Sequence, residues 1–143
     1  MGKQEALDKF KNGFNCSQAV FSAYSEKIGI SMDNALRSAS GFGAGMGGLQ
    51  NTCGAVTGAF MLLGSKYFNP NNPDSKKVVN KYIKEFNNKF VEDNNTINCK
   101  ELLGCNLNTE EGKATFKDNN LKEIKCVKYI EDACRIVEKM LDM

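Results

Sequence analysis

Between residues 41 and 48 the chain reads Gly-Phe-Gly-Ala-Gly-Met-Gly-Gly, and no other stretch limits the fold as strongly. Each glycine in a helix interior costs roughly 1 kcal/mol relative to alanine. Five glycines in eight residues therefore exclude a stable helix there and predict a loop whose backbone passes close to another segment. The run leads into Thr52-Cys53-Gly54-Ala55-Val56-Thr57-Gly58, the start of an apolar segment that ends near Gly64. Thr52 is expected to cap a helix, its hydroxyl accepting from the free N–H groups of the first turn, which makes Cys53 the first residue inside. A thiol there meets the positive end of the helix dipole, which favours the thiolate. The dipole contributes about 0.3 to 1 kcal/mol, less than one pKa unit at roughly 1.36 kcal/mol. Position primes this cysteine without making it reactive.

On either side of the glycine run, apolar residues recur at helical spacing, and no stretch alternates as a strand does. The first helix is predicted over residues 3–11, with Ala6, Leu7 and Phe10 on one face. A second runs from Cys16 to Ile28, capped by Asn15, and a third follows Ser31 to about Ser40. A fourth is expected from Cys53 to about Phe68. Pro73, at a first helical position, opens a fifth to about Glu92, with a stripe of Val78, Val79, Tyr82, Ile83, Phe86 and Phe90. Short helices are predicted over 98–103 and 109–117, the latter capped by Thr109, and a last one over about 125–141. The expected fold is all-α: a compact bundle of about five main helices plus one or two short ones, in a single domain spanning 1–143.

The formal net charge is +2, from 19 basic and 17 acidic residues, which gives no reason to expect nucleic acid as a partner. The longest apolar run, Ala55 to Leu63, falls far short of the roughly 20 residues that span a bilayer, so no direct membrane insertion is expected. The polar start lacks the apolar core of a signal peptide. A cytoplasmic location is expected, where thiols stay reduced and structural disulfides are rare.

Six cysteines and no histidine leave sulfur as the chemistry to explain. Cys16, Cys53, Cys99 and Cys126 each fall in the first turn of a different predicted helix, whereas Cys105 follows the break at Gly104 and Cys134 sits inside the last helix. Three readings stay open. A pair of thiols, Cys53 with Cys16 as the expected catalytic partner, cycles between dithiol and disulfide. Alternatively Cys16, Cys53, Cys99 and Cys126 ligate zinc or an iron–sulfur cluster, since a helical bundle can build a site from facing helices. In the third reading the cysteines are buried core residues of a non-catalytic binding or adaptor domain. No Cys-x-x-Cys pair is present, so any site is assembled by tertiary folding. Gly47 and Gly48 of the loop, with Gly54 and Gly58 of the helix start, are the positions where a cofactor or second segment is expected to approach closely. The formal Gly-x-Gly-x-x-Gly match over 43–48 follows a helix and no strand, which argues against a dinucleotide site.

Several of these stretches together resemble one known family. They are Asn15-Cys16-Ser17-Gln18-Ala19-Val20, the glycines 45–48 leading to Cys53-Gly54-Ala55-Val56-Thr57-Gly58, then Cys99-Lys100-Glu101-Leu102-Leu103-Gly104, and Cys126-Val127-Lys128-Tyr129. The chain is similar along nearly its whole length to the C_GCAxxG_C_C family, whose name supposes redox activity. The resemblance implies Cys16, Cys53, Cys99 and Cys126 as the family set, with Cys105 and Cys134 particular to this chain. It further implies an unidentified redox partner and, because members are often encoded near transporter genes, a link to a transporter. It implies no substrate.

Overall fold

The computed structural model describes residues 2–143. Among them are eight α-helices: α1 Gly2–Lys11, α2 Cys16–Ser25, α3 Met32–Ser38, α4 Gly54–Tyr67, α5 Ser75–Asn94, α6 Cys99–Leu103, α7 Glu110–Asp118 and α8 Val127–Met140. No strand occurs among the described residues beyond one antiparallel bridge, Thr52 to Asn98. The all-α expectation holds.

The molecule is built around α2, in which every residue from Ser17 to Ser25 except Gln18 is buried. Its start is fixed by a reciprocal cap: the Asn15 side chain accepts from the Gln18 N–H at 2.9 Å, and the Gln18 side chain accepts from the Asn15 N–H at 2.9 Å. Gln18 also donates to the Leu36 carbonyl, and Asn15 to the Ser40 carbonyl, so the same two side chains hold α3 and the following turn against α2. Helix α4 crosses α2 at very short range. A side chain on Gly58 would stand 2.8 Å from the Ser17 carbonyl oxygen and 3.1 Å from Val20 Cβ. Helix α8 closes the other side with Ile130, Ala133, Cys134 and Val137 fully buried, and α5 contributes Phe86 and Phe90. Stacked Tyr67 and Tyr82, 3.9 Å apart, join α4 to α5.

Several boundaries differ from expectation. Helix α2 stops at Ser25, and residues 26–28 tighten into a 3-10 turn before Gly29, whose φ of 84° ends it. Helix α4 begins one residue later than expected, because the backbone of 51–53 is tied across to 97–99. The Cys53 N–H donates to the Ile97 carbonyl at 2.7 Å and the Cys99 N–H to the Asn51 carbonyl at 2.6 Å. Thr52 is therefore extended, and Cys53 itself is the N-cap. Helix α5 begins at Ser75 and not at Pro73. Asn69 and Asn72 fold 69–74 into side-chain-bonded turns, which Ser75 locks by donating to both of their carbonyls. The last helix is preceded by a π-helical turn over Lys122–Cys126.

The glycine run is a loop, as expected, but of an unusual hand. Five consecutive residues, Ala44 to Gly48, have positive φ (47°, 71°, 71°, 61° and 78°). Left-handed winding costs L-residues roughly 1–2 kcal/mol each, and glycine escapes most of this, which explains the composition. The turn is held by the Gln50 N–H donating to the Ala44 carbonyl at 3.0 Å and the Asn51 N–H to the Gly45 carbonyl at 2.8 Å.

Candidate functional site

A cavity of about 340 Å³ lies where the starts of α2, α4 and α6 meet the π-helical turn before α8. Cys16, Cys53, Cys99 and Cys126 all line it. All six cysteines are free thiols. Cys16 is the first residue of α2, Cys53 the cap of α4, Cys99 the first residue of α6, and Cys126 the last residue of the π-helical turn. Three thiols thus stand at helix starts. Cys126 does not, because helical winding already begins before it.

Each position has a local cause. The Asn15 cap sets Cys16, and Asn98 sets Cys99 by accepting from the Glu101 N–H at 2.9 Å. Gly54 lets the first two thiols share a wall: a side chain there would overlap Cys16 Sγ and stand 2.9 Å from the Phe42 carbonyl oxygen. Gln50, buried behind Cys99, donates to the Cys105 carbonyl at 3.0 Å and accepts from the Leu107 N–H at 2.7 Å, tying the 105–107 segment to the loop. The rest of the lining is apolar, including Phe10, Phe14, Leu102, Leu103, Leu107 and Phe116. Tyr129 joins it, its hydroxyl donating to the Leu102 carbonyl at 2.8 Å. Lys122 is the one charged residue of the lining, and its Nζ lies 5.0 Å from the centre of the Phe10 ring.

Burial outweighs the priming that a helix start gives these thiols. Burial raises Cys16, with the backbone amides of Ala44, Ser17, Cys16 and Gly54 pulling the other way. Burial likewise holds Cys53 well above an ordinary thiol, and the neighbouring Cys16 adds to it, against the amides of Ala55 and Val56. Cys99 is pushed up to about 11, by burial first and then by Cys16. Cys126 rises to about 12 by burial, then Cys16 and Cys99, with Lys122 opposing. A helix start is worth about 0.3 to 1 kcal/mol to a thiolate, and desolvation exceeds that in this cavity. The reduced site is a set of protonated thiols.

This has a consequence for stability. An ordinary thiol titrates at 9.0, and Cys99 and Cys126 titrate at about 11 and about 12 in the folded chain. Their folded values are raised, so the stability they contribute is complete below the unfolded value and is lost as pH climbs through the folded ones. Melting curves from about pH 8 to about pH 11 should fall more steeply for the native chain than for a Cys99→Ala/Cys126→Ala variant. Equal slopes would show that these thiols ionise freely in the fold.

The remaining expected positions are elsewhere. Gly47 and Gly48 belong to the left-handed loop and are not in the lining; the Gly48 carbonyl accepts from the Asn108 side chain. Gly58 serves the α2–α4 crossing. Of the four glycines, Gly54 alone lines the cavity. Cys105 is half-buried outside the lining, and Cys134 is buried in α8, pushed up to about 12 by burial with the Tyr24 hydroxyl opposing. Among the described residues, no three or more Cys, Asp or Glu side chains are grouped so that they could hold a metal ion. The four cysteines line one cavity without forming such a group. No helix among the described residues is long and apolar enough to cross a membrane. Gln50, Lys122 and the aromatic wall were not expected from the sequence. Phe10 and Phe14, four positions apart across the Asn12-Gly13 turn, carried the only signal.

A family model described as "Putative redox-active protein (C_GCAxxG_C_C)" matches residues 14–140. Searches of curated proteins and of solved structures gave no match. The matched span takes in all four cavity cysteines and the Cys53-Gly54-Ala55 corner, and the chain belongs to the C_GCAxxG_C_C family.

Proposed function

We propose that the protein is a thiol redox protein in which Cys16 and Cys53 cycle between dithiol and disulfide. The observation that carries this reading is the meeting of Cys16 with the start of α4, where Gly54 leaves its sulfur against the backbone next to Cys53. Cys16 is the attacking thiol: it is half-buried, whereas Cys53 is buried, and backbone amides from three chain segments offset part of the burial that raises it. Cys53 resolves. In each turnover both S–H bonds break, an S–S bond forms, and two electrons and two protons pass to a two-electron acceptor. Cys99 and Cys126 complete the thiol-lined wall.

The test is equilibration of the reduced protein in buffers of 2-mercaptoethanol and its disulfide, both small and uncharged, at graded potential, followed by alkylation and peptide mapping. A disulfide between Cys16 and Cys53, formed and removed reversibly, is the expected result. Thiols that remain free across the whole range, or a bridge that forms only between other cysteines, would overturn the assignment.

A further inference from the structure

The cavity says more about the acceptor than the thiols alone do. Its buried floor is made by Cys53, Cys99, Leu102 and Leu103, and its partly exposed rim by Phe14, Phe116, Leu107 and Lys122. At about 340 Å³ it lies at the small end of the range for small-molecule sites, roughly 300 to 1,000 Å³. That volume suits a single substituted ring and is small for a dinucleotide.

Resting on the redox reading above, we propose that this cavity takes a small, uncharged, apolar two-electron acceptor of the quinone class. An acceptor carrying carboxylates, such as glutathione disulfide, would have to shed hydration against phenylalanine and leucine side chains. A quinone is neutral both oxidised and reduced. Its carbonyl oxygen would accept from Lys122, the single charged donor of the lining; a dialkyl disulfide has no comparable acceptor. Proton balance points the same way. The chain has no histidine, and no carboxylate lines the cavity, so no base on the wall can keep the thiol protons. They leave with the electrons: the S–H bonds of Cys16 and Cys53 break, the S–S bond forms, and the two quinone oxygens take the electron pair and both protons to become hydroxyls.

Duroquinone is the probe, because its ring carbons are all substituted and direct thiol addition to an open position is blocked. Protein reduced and handled without oxygen is mixed with it, and quinone absorbance, free thiols and the bridged cysteines are followed. One quinone should be consumed per chain as the Cys16–Cys53 bridge appears. Leu107→Trp, which fills the cavity and keeps every cysteine, should slow the reaction by about tenfold or more, since the ring can no longer lie against the sulfurs. If its melting curve shows that Leu107→Trp does not fold, Lys122→Met, an exposed position, carries the same comparison. A native chain that reacts no faster than the folded variant overturns the inference. A chain that forms the bridge in the 2-mercaptoethanol disulfide buffer but leaves duroquinone unreduced overturns the quinone assignment alone. One that forms it with neither overturns the redox reading as well.

Discussion

Gly54→Ala is expected to displace the Cys16 sulfur and to disable the pair. The added methyl would overlap Cys16 Sγ, stand 2.9 Å from the Phe42 carbonyl oxygen and 3.1 Å from the Ser17 nitrogen. The sulfur can swing away, but the backbone atoms belong to the α2 start and the turn before the loop, and neither yields without moving a cap. Overpacking of this kind costs about 1 to 3 kcal/mol, more than the helix propensity that alanine brings. Two measurements read the effect. The melting temperature should fall, and Cys16, driven toward the rim, should be alkylated faster while its bridge to Cys53 forms less readily. Adding Cys16→Ala removes the overlapping sulfur, so the double variant should recover about 0.5 to 1 kcal/mol relative to additivity. A Gly54→Ala chain that melts and alkylates like the native one would show that the two helix starts do not meet there.

The second large effect lies behind the cavity wall. Phe90 is fully buried in α5, its ring centre 6.0 Å from that of Phe86 and 6.2 Å from that of Tyr129. Phe90→Ala should cost about 3 to 5 kcal/mol, through lost transfer free energy and the hole left behind. The loss is not confined to the core, because Tyr129 lines the cavity and its hydroxyl holds the Leu102 carbonyl. With its backing gone, Tyr129 should tilt and the α6 wall loosen, so Cys99 should become more reactive toward alkylation under conditions where the variant is still folded. Denaturant melts supply the first number and a timed alkylation of Cys99 the second. Destabilisation with unchanged Cys99 reactivity would separate core from cavity and remove the mechanical link.

Much of the fold could be read from local chemistry. Asn15, Ser31 and Thr109 all cap the helices expected of them, because a short polar side chain before an apolar period is decided within one turn of chain. The start of α4 was misplaced for the opposite reason. Thr52 is a competent cap by its own chemistry, but its backbone is held by residues 97–99, some 45 positions away. The π-helical turn before α8 likewise escaped, since nothing in Lys122–Cys126 departs from ordinary helical composition. For the site, the four cysteines at expected helix starts are the four that line the cavity, but that placement did not give their charge state. Helix starts argue for thiolates, and only the packed structure shows how far burial opposes them.

The loop from Ala44 to Gly48 winds as the mirror image of an ordinary helical turn. Building blocks of the opposite chirality should therefore suit it better than natural ones. Nothing lies within 4 Å of where an L side chain on Gly48 would begin, and its φ of 78° is what a D-amino acid prefers. D-alanine installed there by chemical ligation should raise the melting point by restricting the unfolded chain, while L-alanine at the same position should lower it. The Ala44 amide that faces the Cys16 sulfur is presented from this inverted turn, so stereochemistry in the loop and acidity of the thiol are coupled.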